Sequence, residues 1–203
     1  MTTFISHRIN DSSSLKLTDR RFGVEIDLRD FGNDIVMSHD PFTINAEKFE
    51  NYLTNYDHRT MILNIKSERI EHKVIELLNI YGIDDYFFLD SSFPMIKLMA
   101  ESNENNIAVR FSEYEPLEMV NSVKNMVKWV WVDCFSRFPL DKSTFDHLKS
   151  MGLKICIVSP ELQGQEERII DYAGYMKENN IIPDAVCSKA HNFELWSKYI
   201  KFS

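Results

Sequence analysis

Short apolar runs recur along this chain at nearly even intervals, separated by longer stretches whose apolar residues have helical spacing. That rhythm leaves few folds open. The runs read as strands over Thr3–Ser6, Gly23–Leu28, Met61–Ile65, Tyr86–Leu89, Ile107–Phe111, Trp129–Asp133, Leu153–Val158 and Ala185–Ser188. Between them the spacing predicts helices over Ala46–Tyr56, Ile70–Tyr81, Phe93–Ser102, Leu117–Lys124, Lys142–Met151 and Gln165–Asn179, with a short closing helix over Phe193–Tyr199. Only Asn10–Arg21 lacks a clear apolar stripe. Strands that alternate with helices pair in parallel through right-handed crossovers. Eight such units close a (β/α)8 TIM barrel, and 203 residues put the chain at the small end for that fold. An open doubly wound sheet would want a Gly-rich turn after the first strand. The chain has only six glycines and none of them lies there. No Gly/Ser linker or low-complexity segment divides residues 1–203, so a single barrel domain is expected.

In such a barrel, chemistry collects at the C-terminal ends of the strands. The first strand ends in Ser6-His7-Arg8. In the second, Val24, Ile26 and Leu28 share one face and Glu25 and Asp27 the other, and His39 follows on the loop beyond. The third carries Asn64 and Lys66 on one face. Asp90 ends the fourth strand, Arg110 the fifth with Glu113 just past it, and Asp133 the sixth. Two carboxylates on one buried strand face are costly unless something positive lies between them. A hard divalent cation, Mg²⁺ or Ca²⁺, is the usual answer, and a solvated strand face is the plainer one. Two histidines suit a general base and a general acid. Arg8 and Lys66 suit a phosphate clamp, Arg gripping two oxygens and Lys acting as a point charge. Together these groups fit metal-assisted cleavage of a phosphodiester.

The order His-Arg, Gly-x-Glu-x-Asp, His-Asp and a strand-end x-x-Lys resembles the glycerophosphodiester phosphodiesterase family, within the phosphatidylinositol-specific phospholipase C-like barrels. The likeness is most specific over Ile5–Lys66, and the stretches LNIK, FLDSS, RFSEYE and IVSPELQG are similar to a compact bacterial subgroup. The resemblance implies that His7 and His39 are the catalytic pair. It implies that Glu25, Asp27 and Asn64 are the ligands of one divalent cation, and that Arg8 and Lys66 hold the phosphate. Arg110 and Glu113 are expected to contact the rest of a small phosphodiester substrate. Three departures stand out. Ile9 replaces the family's usual glycine after His-Arg, and Asn64 replaces its third ligand, a glutamate. Only residues 40–60 separate His39 from Met61, which leaves no room for the inserted domain many members carry. Two other readings stay open. One is a barrel that binds a phosphorylated ligand without turnover, the amide at Asn64 having cost it the metal. The other is a metal aldolase with Lys66 as Schiff base, which gives the two histidine pairs no role.

A net charge of −8 speaks against nucleic acid and against stable docking on an anionic membrane, since no basic excess exists to meet phosphates. Cys134, Cys156 and Cys187 lie in apolar runs without metal-type spacing and read as buried free thiols, which fits a reducing compartment. The first residues, MTTFISHRIN, contain no apolar run long enough for a signal peptide, so a cytoplasmic protein is expected.

Overall fold

The computed structural model describes residues 1–201. Strand β1 (Thr3–Ser6) is hydrogen-bonded on both sides. It pairs in parallel with β2 (Gly23–Phe31) and with β9 (Ala185–Ser188), joining the two ends of the chain in one sheet. From β2 the sheet continues through β4 (Met61–Ile65) to β5 (Tyr86–Leu89). From β9 it continues through β8 (Lys154–Val158) and β7 (Trp129–Val132) to β6 (Ala108–Phe111). The ring closes between β5 and β6 at one parallel bridge, Phe88 with Ile107, where the Phe88 N–H donates to the Asn106 carbonyl at 2.8 Å. All eight expected strands are therefore present in a closed parallel barrel. Among the described residues no helix is long and apolar enough to cross a membrane.

The strand alternation sorts side chains between two cores. Val24, Ile26 and Leu28 turn outward with Leu63, Val130 and Val132 and meet the helices. Ile5, Ile62, Phe87, Trp129, Trp131 and Cys187 fill the barrel interior. Trp129 and Phe87 stack there, with ring centroids 4.4 Å apart. The inward positions of β2 are Glu25 and Asp27, both fully buried beside this apolar filling. Gly23 begins that strand because the Thr60 carbonyl and the Ile5 side chain occupy the space a Cβ would need.

Three elements depart from expectation. β2 runs past the expected end at Leu28 to Phe31 and folds back as β3 (Asp34–Met37), antiparallel to it, where no strand is expected from the sequence. Gly32, at φ 61°, supplies the left-handed residue of this tight turn. The stretch after β1 is helical over Ser12–Leu17 (α1) although only Leu15 is buried, because the Asp11 side chain caps it by accepting from the Ser14 N–H at 2.8 Å. The next helix, α2, spans only Phe49–Leu53. Asn45 sits at φ 66°, and the Glu47 carbonyl accepts from the Met37 N–H, so this segment follows β3 before it coils. The later helices, α3 (Glu71–Tyr81), α4 (Phe93–Glu101), α5 (Leu117–Val123), α6 (Lys142–Ser150), α7 (Ile169–Glu178) and α8 (Phe193–Ser197), lie in the expected stretches. α7 starts late because Pro160–Gln163 and Glu166–Arg168 form short 3-10 turns first.

Candidate active site

The site is laid out by the chain leaving β1. His7 continues the ladder, its N–H donating to the Ser188 carbonyl at 3.0 Å. Arg8 then adopts φ 57°, a conformation that costs an L-residue of order 1 kcal/mol. The turn aims the Arg8 N–H at Glu25 Oε2 (2.8 Å) and the Ile9 N–H at the Glu25 carbonyl (2.9 Å). Those bonds offset the strain and hold the His-Arg pair over the acidic face of β2. His7 Nε2 lies 3.7 Å from Glu25 Oε2, and Arg8 Nε 3.4 Å from Asp27 Oδ2.

Asn10 completes this corner, and the sequence reading missed it. Its amide NH2 donates to Asp27 Oδ2, while its Oδ1 accepts from the Asp27 backbone N–H, both at 2.8 Å. No local spacing links residues 10 and 27, so only the fold reveals the pair. On the other side, Asn64 faces Asp27 across the β2–β4 ladder and donates its NH2 to Glu25 Oε1 at 2.8 Å. Lys66 Nζ lies 3.6 Å from Asp27 Oδ1 and 3.3 Å from Asp90 Oδ2.

His39 stands on the opposite rim, half exposed, with Nδ1 2.8 Å from the Asp40 carboxylate. Its backbone is held by a second residue that the sequence reading passed over. Arg29 donates Nε (3.2 Å) and Nη2 (2.9 Å) to the His39 carbonyl, and Nη1 to the Lys66 carbonyl at 2.9 Å. One guanidinium thus ties the loop carrying His39 to the end of β4. Arg29 shares the face of Glu25 and Asp27 in β2, but it lies past Leu28, where the apolar alternation in the sequence ends, so the strand pattern did not single it out.

His7, Arg8, Glu25, His39, Asn64, Lys66 and Arg110 all line one cavity of about 400 Å³ at the C-terminal mouth of the barrel. Asp27 lies beneath them, sealed by Arg8 and Lys66. Arg110 reaches the cavity but is heavily engaged. Its Nε and Nη2 grip Asp90 (2.7 and 3.0 Å), and its Nη1 meets Asp133 at 2.6 Å. Glu113 does not join the site. Its carboxylate accepts the Phe135 and Arg137 N–H groups (3.3 and 3.1 Å) and the Ser136 hydroxyl (2.8 Å), fastening the loop after β7. Glu113, expected among the substrate contacts, is thus bound to the loop after β7 and is not in the lining of the cavity. A carboxylate so close to a run of free amide groups folds onto them.

Burial, helped by the neighbouring Arg8 charge, pushes the His7 imidazole down to about 4. His7 is therefore neutral at physiological pH and able to accept a proton. Burial and the nearby Asp27 charge raise Glu25, against the opposing hydrogen bonds from Asn64 and the Arg8 N–H. Two buried oxygens here, Asp27 Oδ1 and Asn64 Oδ1, have no hydrogen-bond partner. Crowded carboxylates and orphaned oxygens are what a hard cation relieves, so Glu25, Asp27 and Asn64 fit as its donors. The described residues contain no metal-type cluster of three His, Cys, Asp or Glu side chains, so this donor set is two carboxylates and an amide.

Fold and site together define a (β/α)8 barrel whose mouth combines a neutral imidazole, paired carboxylates and three cations. No protein-family model and no curated protein sequence matches the chain. Solved structures do. The crystal structure of a glycerophosphodiester phosphodiesterase from Agrobacterium tumefaciens str. C58 superimposes with TM-score 0.68 at 14% identity, over 93% of this chain and 97% of that one. A provisionally named glycerophosphoryl diester phosphodiesterase from the same organism gives TM-score 0.67 at 13% identity, over 98% of each chain. At such identity the likeness is one of fold, and it runs the length of both chains.

Proposed function

We propose that this protein is a metal-dependent phosphodiesterase acting on a small glycerophosphodiester-like substrate. The observation that carries the reading is the convergence of His7, Arg8, Glu25, His39, Asn64 and Lys66 on one cavity. The fold shared with two structures named for that activity supports it. The cation, Mg²⁺ or Ca²⁺, would be held by Glu25, Asp27 and Asn64, and when bound it supplies positive charge to the phosphoryl oxygens. Arg8 and Lys66 add charge to the same oxygens from the sides, partly freed from Asp27 as substrate enters. His7, kept neutral by burial, takes the proton from the attacking hydroxyl, whether of water or of the substrate itself. His39 protonates the leaving alkoxide as the phosphorus–oxygen bond breaks. Its Nδ1 is held by Asp40, whose carboxyl that hydrogen bond keeps below its ordinary range, leaving Nε2 to deliver the proton. The products are an alcohol and a phosphomonoester, or a cyclic ester when the nucleophile is intramolecular.

Three free, buried thiols, Cys134, Cys156 and Cys187, support a reducing, cytoplasmic setting for this chemistry. The test is hydrolysis of glycerophosphodiesters and bis-p-nitrophenyl phosphate by chelator-treated protein, with and without millimolar Mg²⁺ or Ca²⁺. Activity should depend on the cation and fall ~10²–10⁴-fold in His7→Ala and in His39→Ala, with the circular dichroism of both unchanged. Binding of a phosphate ester with no turnover under any condition would return the protein to a ligand-binding role.

A further inference from the structure

Beside the catalytic cavity lies a second groove, of about 400 Å³, at the seam where the barrel closes. It exists because β5 and β6 share only the Phe88–Ile107 bridge. Asp90, at φ 62°, bends the chain away from the strand direction directly after β5, so the sheet parts toward the mouth. Phe93 and Ile96 of α4 form one wall and Met119 of α5 the other, with Val109 of β6 at the base. Phe93 is 47% exposed and Met119 41%, an apolar pair at a helix-rimmed opening on the catalytic face. The two cavities share Arg110 and Glu115, so the groove opens directly beside the site with the Arg110 side chain at their common edge.

We propose that this groove receives one alcohol arm of the diester and selects an uncharged, largely apolar arm of several carbons. The inference rests on the phosphodiesterase reading of the adjoining cavity. Its walls are carbon where the neighbouring cavity is ionic, and burial of apolar surface is the only sizeable attraction they offer. Charge in the groove is already settled. Arg110 is already shared between Asp90 and Asp133, and Glu115, which the same guanidinium faces, adds a further carboxylate to the lining, so an anionic arm is repelled. Ser91 Oγ lies buried there with no hydrogen-bond partner, and a hydroxyl or ether oxygen near the start of the arm would satisfy it. An arm with one neutral oxygen followed by a hydrocarbon body matches each of these features.

The experiment compares glycerol phosphodiesters of methanol and of 1-hexanol, in wild type, Met119→Trp (groove filled) and Phe93→Ala (wall removed). Each fully buried methylene is worth roughly fourfold. The wild type should therefore favour the hexyl ester at least about tenfold in kcat/KM. Met119→Trp should abolish that preference while leaving the methyl ester rate unchanged, and Phe93→Ala should reduce it. Equal use of both esters in wild type, or a preference that survives Met119→Trp, overturns the groove assignment and leaves the phosphodiesterase reading intact. If neither ester turns over, that reading fails, and calorimetric titration of hexyl against methyl methylphosphonate decides the groove separately. Tighter hexyl binding lost in Met119→Trp supports it, and equal binding overturns it.

Discussion

Replacing Arg29 with Met keeps an apolar stem of similar length and removes three hydrogen bonds, two to the His39 carbonyl and one to the Lys66 carbonyl. The two carbonyls differ in what remains. Lys66 is still anchored, because its own N–H donates to the Leu28 carbonyl at 2.9 Å. His39 loses the guanidinium that holds its backbone, and its side chain, 42% exposed, has only the adjacent Asp40 as a partner among the described residues. Hydrogen bonds to a charged donor contribute about 1.5–3 kcal/mol each when buried. Arg29 is half-buried and water can reach the freed carbonyl at His39, so the expected loss of stability is about 1–2 kcal/mol in total. For a domain of this size that is roughly 2–8 °C in Tm. The kinetic effect should be larger than the thermal one. Misplacing a catalytic group by about 1 Å can cost ~10²-fold, so kcat should fall on the order of 10–100-fold. KM should stay nearly constant, because Arg8 and the Lys66 backbone keep their own anchors. Arg29→Lys, which can reach one carbonyl but not both, should fall between. Steady-state kinetics on bis-p-nitrophenyl phosphate with Mg²⁺, paired with thermal unfolding, read both effects. A variant with wild-type kcat would refute the positioning role, and a rise in KM alone would show that Arg29 acts on binding.

Other substitutions follow from the same geometry. Asn64→Glu replaces an amide that donates to Glu25 with a third carboxylate, so it should lower Tm in chelator and bind Mg²⁺ more tightly than wild type by calorimetric titration; equal weak heats in wild type, Asn64→Glu and a Glu25→Gln/Asp27→Asn control would mean there is no metal site. Burial works against ionisation of Asp90, but the Arg110 and Lys66 contacts outweigh it and hold its carboxyl below the ordinary range. The stability it contributes is therefore present above ~3.9, the unfolded value, and is lost as pH falls through the lower folded value. The Tm gap between wild type and Asp90→Asn should be widest above pH ~5 and close below it, and a gap constant with pH would contradict this. Burial also pushes the thiols up, Cys134 to about 12 and Cys156 and Cys187 higher, so a thiol reagent should report almost no reaction until denaturant is added.

The strands were legible because a period of two with apolar outer positions can be read locally, as in Val24-Glu25-Ile26-Asp27-Leu28. Where both faces are apolar the period is silent. In Trp129-Val130-Trp131-Val132 it could not say which pair turns inward, and the structure puts both indoles inside. The short hairpin Phe31–Asp34 and the late start of α2 depend on backbone conformation at Gly32 and Asn45, which residue type suggests only weakly. The site residues at strand ends were visible because strand ends are. Asn10 and Arg29 were not, since each works on partners brought near only by strand pairing, β1 with β2 for Asn10 and β2 with β3 and β4 for Arg29. Glu113 shows the converse. It stands in the expected place just past a strand, but the free amides of Phe135–Arg137 capture it first.

The unequal joints of the ring have a mechanical consequence. Where the chain's two ends meet, β1 and β9 share four register pairs, Thr3–Ala185 through Ser6–Ser188. On the far side β5 and β6 share one bridge. Backbone hydrogen bonds are worth about 0.5–1.5 kcal/mol each, so the backbone joint at Phe88–Ile107 is the weaker one, and the Asp90–Arg110 ion pair is what reinforces it. The barrel thus behaves as a clasp hinged at β1, with its catch beside the catalytic mouth. Its lowest-energy opening separates residues 3–89 from residues 108–188 without unfolding either arc. Amide exchange at Phe88 should run well ahead of that at Phe4 or Ile5. Anything bound across the mouth between Lys66 on one arc and Arg110 on the other would hold the clasp shut.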